Sequence, residues 1–145
     1  MKSRVKLQKG SKKLINAWAF YDWANSVYPL VISSTIFPIY YSAISDEISY
    51  IDFLGYQFKN TALISFVTAI AFLVVALKTP LLSGIADYIG NKKRFMKIFV
   101  YTGSISCIGL YFFELHNLYM GLFFYFFALI GFWASLVFYN SYLPD

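Results

Sequence analysis

The hydrophobic pattern is one of long unbroken runs. Residues 17–44, 61–82, 95–113 and 118–139 are each apolar over about the ~20 residues that a helix needs to cross a bilayer. Charged and small polar residues are gathered into short blocks between these runs. The pattern predicts an all-α integral membrane protein with four transmembrane helices, residues 1–16 forming a basic tail and residues 17–145 the transmembrane region.

The first run is long enough to tilt. Trp18, Tyr21 and Trp23 stand at one end and Tyr40 and Tyr41 at the other, as befits rings with apolar bodies and polar edges at the two interfaces. Within it, Asp22, Ser26, Pro29 and Ser33 recur at helical spacing, so one stripe is small or polar and is expected to face protein or water. Asp22 is the sharpest feature, because a charge at the centre of a span costs about 2.5–3.5 kcal/mol on insertion scales and is retained mainly for function. With Asn25 and Ser26 it forms the candidate substrate or coupling group. Asp22 stands only about five residues inside the run, roughly 8 Å at ~1.5 Å per residue. Water or the tail can reach it there, so a structural ion pair or polar helix contact is the competing reading.

The block Asp46, Glu47, Asp52 and Lys59 predicts an outer loop over residues 45–60. Lys78, near the end of the second run, is expected to extend its amine to the interface, pairing with Asp22 being the alternative. Pro80 predicts a kink near the helix end. Gly103, Ser104, Cys107 and Gly109 on the third run would let a neighbouring helix approach closely. Ala128, Gly131 and Ser135 do the same on the fourth, whose many aromatic residues read as lipid-facing bulk.

Composition agrees: 59% of residues are hydrophobic, 22% aromatic and only 13% charged, with a mean hydropathy of +0.60. The net charge of +5 would suit nucleic acid if it were dispersed on a face. Six basic residues lie instead in the tail and four in Lys92, Lys93, Arg94 and Lys97, with Lys78 beside them and Lys59 alone opposite. Such bias orients a membrane protein, and it predicts that both chain ends are cytoplasmic. A cleaved leader ending at Ala43-Ile44-Ser45 fits less well, because the apolar run exceeds the usual ~7–15 residues and contains Asp22. The single cysteine, Cys107, cannot form an intrachain disulfide. No His/Cys cluster, phosphate-binding loop or Ser/His/Asp set accompanies it, so no enzyme, cofactor or metal site is expected, and His116 falls in a short outer turn.

The stretch Ser83-Gly84-Ile85-Ala86-Asp87-Tyr88-Ile89-Gly90-Asn91-Lys92-Lys93-Arg94 joins the second and third runs. Asp87 followed by Gly90 suits a tight turn. It resembles the signature loop of the major facilitator superfamily, Gly-x-x-x-Asp-basic-x-Gly-basic-basic. Asp87, Gly90, Lys92 and Lys93 match; Ser83 replaces the first Gly, with Gly84 adjacent, Tyr88 replaces a basic residue, and Asn91 displaces the basic pair by one position. Two further stretches, Tyr21-Asp22-Trp23-Ala24-Asn25-Ser26-Val27-Tyr28 and Phe138-Tyr139-Asn140-Ser141-Tyr142-Leu143-Pro144-Asp145, are similar to the branch of autophagy-linked vacuolar amino-acid effluxers and their bacterial relatives.

The resemblance implies a secondary transporter of twelve-helix type, working by alternating access at a site near the membrane midplane. It implies a bacterial inner (plasma) membrane, a small solute such as an amino acid, proton or other ion coupling, and the remaining helices as partners. On this reading the chain is an N-terminal fragment. The resemblance makes Gly84, Asp87, Gly90, Lys92 and Lys93 a gating hinge. An Arg common on the fourth helix of proton-coupled members has no counterpart between Leu118 and Tyr139. Two alternatives compete: a self-contained four-helix dimeric exporter with Asp22 as its membrane carboxylate, and a non-transporting membrane interaction subunit.

Overall fold

The computed structural model describes residues 11–46 and 50–141. Lys2, Arg4, Lys6 and Lys9 of the basic tail, Glu47, and the closing Tyr142-Leu143-Pro144-Asp145 lie outside them. Four helices are long and apolar enough to cross a membrane.

The first is broken in its register. Helix α1 (Lys12–Tyr28) runs into a π-helical stretch, Pro29–Thr35, and on into α2 (Ile36–Ser45), a rod of 34 residues in all. Proline has no N–H and its ring crowds the carbonyl a turn earlier, so Pro29 and Pro38 bracket a segment that cannot keep the α register. The Ile36 N–H reaches Val31 O, five residues back. A wider turn shifts the phase of everything beyond it, which divides the polar stripe expected along this span. Asp22 and Ser26 face outward from α1, whereas Ser33 turns toward the second and fourth spans, near Thr68 and Tyr125.

The outer loop contains a hairpin that the hydrophobic pattern did not disclose. Strands β1 (Tyr50–Phe53) and β2 (Tyr56–Lys59) pair antiparallel, Phe53 opposite Tyr56. Leu54 and Gly55 between them have φ of 53° and 83°, the positive values of a type I′ turn. Alternation sends Ile51, Phe53 and Phe58 inward: Phe53 stacks on Tyr119 at 5.8 Å and Phe58 on Phe66 at 5.7 Å. Tyr119 also donates to the Asp52 carbonyl. The hairpin thus packs on the helices that carry Phe66 and Tyr119.

Helix α3 (Asn60–Ile89) is 30 residues long and passes through Pro80 without ending. In an apolar medium a break would strand more carbonyls than the single bond proline removes. Ser83–Ile89, read from the sequence as part of a turn, are therefore helical, and the turn shrinks to Gly90 and Asn91. Helix α4 (Lys92–Gly109) ends in a 3-10 turn, Leu110–Phe112; a second 3-10 turn, Leu115–Asn117, leads into α5 (Leu118–Asn140).

Helix α5 is the centre of the bundle, and its neighbours are held in two ways. Against α4 the contact is backbone on backbone: a Cβ on Gly131 would lie 2.6 Å from Gly103 N. Against the first span, aromatic rings act as spacers. Tyr139 stacks on Trp18 at 5.0 Å and on Tyr21 at 4.9 Å, Phe132 on Tyr28 at 4.4 Å, and Tyr125 on Phe37 at 4.2 Å. The expectation that the aromatics of this helix are lipid-facing is corrected here: Tyr125, Phe132, Phe138 and Tyr139 are buried, while Phe123 is exposed. Rings on one helix fill the gaps that small residues leave beside them.

The main core gathers Phe37, Tyr41, Leu63, Val67, Phe113, Leu122 and Leu129 under the hairpin. A buried polar knot ties its edge. The Asn60 amide donates to Ser45 O at 3.0 Å and Ser45 Oγ at 3.2 Å, its Oδ1 accepts from Thr61 N at 2.6 Å, and the Tyr41 hydroxyl donates to Asn60 O at 2.8 Å. The end of the first span is thereby fastened to the start of the second.

Candidate functional site

The turn between α3 and α4 is built by its glycine. Gly90 has φ 67° and ψ 24°, a left-handed conformation that other residues adopt at a cost. Asn91 N donates to Ala86 O and Gly90 N to Asp87 O, both at 3.2 Å. This double closure is a Schellman motif, which satisfies carbonyls that a helix end would leave bare. Lys92 begins α4 directly afterwards, and its Nζ lies 2.6 Å from Asp87 Oδ1. The pair is open to solvent, the side chains being 31% and 54% exposed, so it contributes no more than about 1 kcal/mol. Among the described residues it is the one salt bridge.

Of the other hinge residues, Gly84 sits within α3 with nothing within 4 Å of where a Cβ would stand. Lys93 is exposed on the first turn of α4. The structure therefore brings Asp87, Gly90 and Lys92 into one turn, with Lys93 beside them and Gly84 one and a half turns back on the helix.

At the other group, Asp22 is exposed on α1, with its carboxylate beside the Tyr139 hydroxyl. Lys78, also exposed, forms no salt bridge with it. Ser26 Oγ donates to the Asp22 carbonyl at 2.8 Å, a bond that satisfies the hydroxyl within its own helix. Asn25 points elsewhere, into a crevice of about 500 Å³ between α1, α4 and α5. Tyr21, Tyr28, Ser104, Cys107 and Ser135 line it with Asn25. Tyr21 donates to Ser135 Oγ at 3.4 Å. The buried Tyr28 hydroxyl has no hydrogen-bond partner.

Asp22, although only three residues from Asn25 on α1, does not line this crevice. The crevice offers hydroxyl, amide and thiol groups and no charge, which suits binding of a polar solute group. Among the described residues no His, Cys, Asp and Glu side chains cluster in a way that could hold a metal ion. The contributions of Tyr28 and Ser104 were not legible in the sequence, where an isolated hydroxyl in a span reads as packing.

The chain matches the family described as "Vacuole effluxer Atg22 like" over residues 10–145. It is 34% identical over 139 residues, 96% of its length, to an uncharacterized MFS-type transporter, YxiO, of Bacillus subtilis (strain 168). It spans 31% of that relative's length. No solved structure matches it. With the family match covering nearly the whole sequence and four apolar helices to place in a bilayer, the chain belongs to the Atg22-like vacuole effluxer family and is a multi-pass membrane protein of the major facilitator type.

Proposed function

We propose that the chain is the N-terminal part of a secondary active transporter that moves small solutes across the membrane by alternating access, with amino-acid efflux its leading activity. The name of the family, an effluxer, supports the direction, and the bare first helix supports the need for further helices, since no residue of α1 is buried. The basic tail and the basic turn support a cytoplasmic side for both ends and for the α3–α4 turn.

The observation that carries the reading is the Asp87–Lys92 pair on its Schellman turn. An exposed ion pair close to break-even is given up at little cost. Asp87 can then leave Lys92 and accept from the N–H groups at the end of a helix in the other half, where the dipole favours a carboxylate. Alternation between these two partners is what a gate at this turn requires. Asp22 takes the part of a coupling or mouth carboxylate, while Asn25 and Ser26 belong to the solute path and its frame.

The test is Asp87→Asn in the complete transporter reconstituted in vesicles. Orientation, read by labelling of single cysteines on either side, stays as in the unaltered protein. Solute flux falls by about tenfold or more. Unchanged flux would reduce the turn to a device for orienting the chain.

A further inference from the structure

A second hollow, of about 440 Å³ and broadly open on one side, lies between the broken part of the first span, α3 and α5. Ser33, Pro38, Ser65, Thr68, Phe72 and Tyr125 line it, and no charged residue does. Thr68 stands eight residues inside α3, roughly 12 Å at ~1.5 Å per residue. That depth is close to the middle of a hydrocarbon layer ~30 Å thick.

The disposition of protons decides what this cavity can hold. A hydroxyl has one proton and two lone pairs. Ser65 Oγ spends its proton on Thr61 O at 3.1 Å, and Thr68 Oγ1 on Ile64 O at 2.8 Å. Thr68 Oγ1 and the Tyr125 hydroxyl are 3.4 Å apart; when the Thr68 proton goes to Ile64 O, Tyr125 is the donor. In that arrangement all three oxygens offer lone pairs alone. Stacking on Phe37 at 4.2 Å holds the Tyr125 ring in place. On the remaining wall, Pro38 has no N–H to give to the turn containing Ser33 and Ser34, which leaves that turn short of a donor.

A cluster of acceptors without free protons attracts positive charge and repels anions. Divalent cations demand carboxylates or a nearly complete oxygen shell, and this cavity has no carboxylate. Phe72 adds an aromatic wall, a surface to which cations are drawn. We propose that this cavity binds a small monovalent cation, an alkali ion or a primary ammonium group, through the oxygens of Ser65, Thr68 and Tyr125. A use for the cation follows from the transporter reading: an alkali ion would couple transport, and an ammonium group would be the amino end of the solute. Its binding does not depend on that reading.

The experiment measures the melting temperature of the complete, detergent-purified transporter in sodium chloride, methylammonium chloride or choline chloride at equal ionic strength. A ligand that binds only the folded state raises the melting temperature. The expected result is a rise of a few degrees over choline, which is too large for the site, with one or both of the smaller cations. A rise with sodium identifies an alkali site, and a rise with methylammonium alone identifies the ammonium end of a solute. Thr68→Val abolishes the rise and Thr68→Ser keeps it; Ser65→Ala, on an exposed face of α3, weakens apparent affinity several-fold if Thr68→Val fails to fold. Equal melting in all three salts, or a rise that survives both Thr68→Val and Ser65→Ala, overturns the assignment. Asp87→Asn keeps the rise while flux falls, so loss of the cation site and failure of the gate are read separately.

Discussion

Gly131 rests on the backbone of Gly103, so closely that a methyl group on Gly131 would lie 2.6 Å from Gly103 N and 2.8 Å from Phe99 O. The relationship is unequal. The same methyl on Gly103 would meet its nearest atom of the Gly131 backbone at 3.5 Å, an ordinary contact. Gly131→Ala should therefore push α4 off α5 and destabilise the bundle by about 1–3 kcal/mol, the usual range for overpacking. Gly103→Ala should cost much less. Thermal unfolding of the two variants in detergent checks the order; equal losses would show that the helices settle at a new spacing without penalty.

The turn after α3 gives a second test. Gly90→Ala forces a side chain into the left-handed region at φ 67°, at roughly 1 kcal/mol. Gly90→Asn should recover part of it, because Asn tolerates that region best among residues with a side chain. Denaturation midpoints in a mild detergent should rank Gly, Asn, Ala from most to least stable.

The knot at the outer edge is more costly to disturb. Asn60→Ala removes both bonds to Ser45 and takes the amide donor from its buried carbonyl, while Ser45 Oγ keeps its bond to Tyr41 O. A buried acceptor left bare costs about 1–3 kcal/mol. Faster hydrogen exchange confined to the end of α2 and the start of α3 is the expected signature. Exchange unchanged there would mean that water replaces the amide without loss.

The hairpin tip offers the opposite sign. Leu54 occupies a left-handed position at φ 53° while being 83% exposed. Leu54→Asn creates the Asn-Gly pair favoured in type I′ turns, relieving about 1 kcal/mol of strain. A higher melting temperature, or slower exchange across β1 and β2, is the expected outcome.

The membrane class and the four helices were legible because a bilayer imposes a length and a polarity that any span must obey. Gly103 and Gly131 were legible as residues allowing close approach, though not as partners of each other. What escaped the sequence was register. Nothing in the spacing of Asp22, Ser26, Pro29 and Ser33 announces that the wider turns between Pro29 and Thr35 rotate Ser33 away from the other residues. The hairpin was hidden because its turn is Leu-Gly, and because strands of four residues each give too few alternations to read. Thr68 and Tyr125 escaped for a different reason: a lone hydroxyl on an apolar helix looks the same whether it is idle or faces a cavity.

The first span is fastened unevenly. One part, α2, buries Phe37, Tyr41 and Ser45, while the other, α1, buries nothing. Between them lies the π-helical stretch, where backbone bonds reach across a longer gap. Mechanically this is an anchored stub, a soft joint and a lever resting on aromatic bearings. A displacement of α1 can therefore be taken up at Pro29–Thr35 before it reaches the core packed around α2.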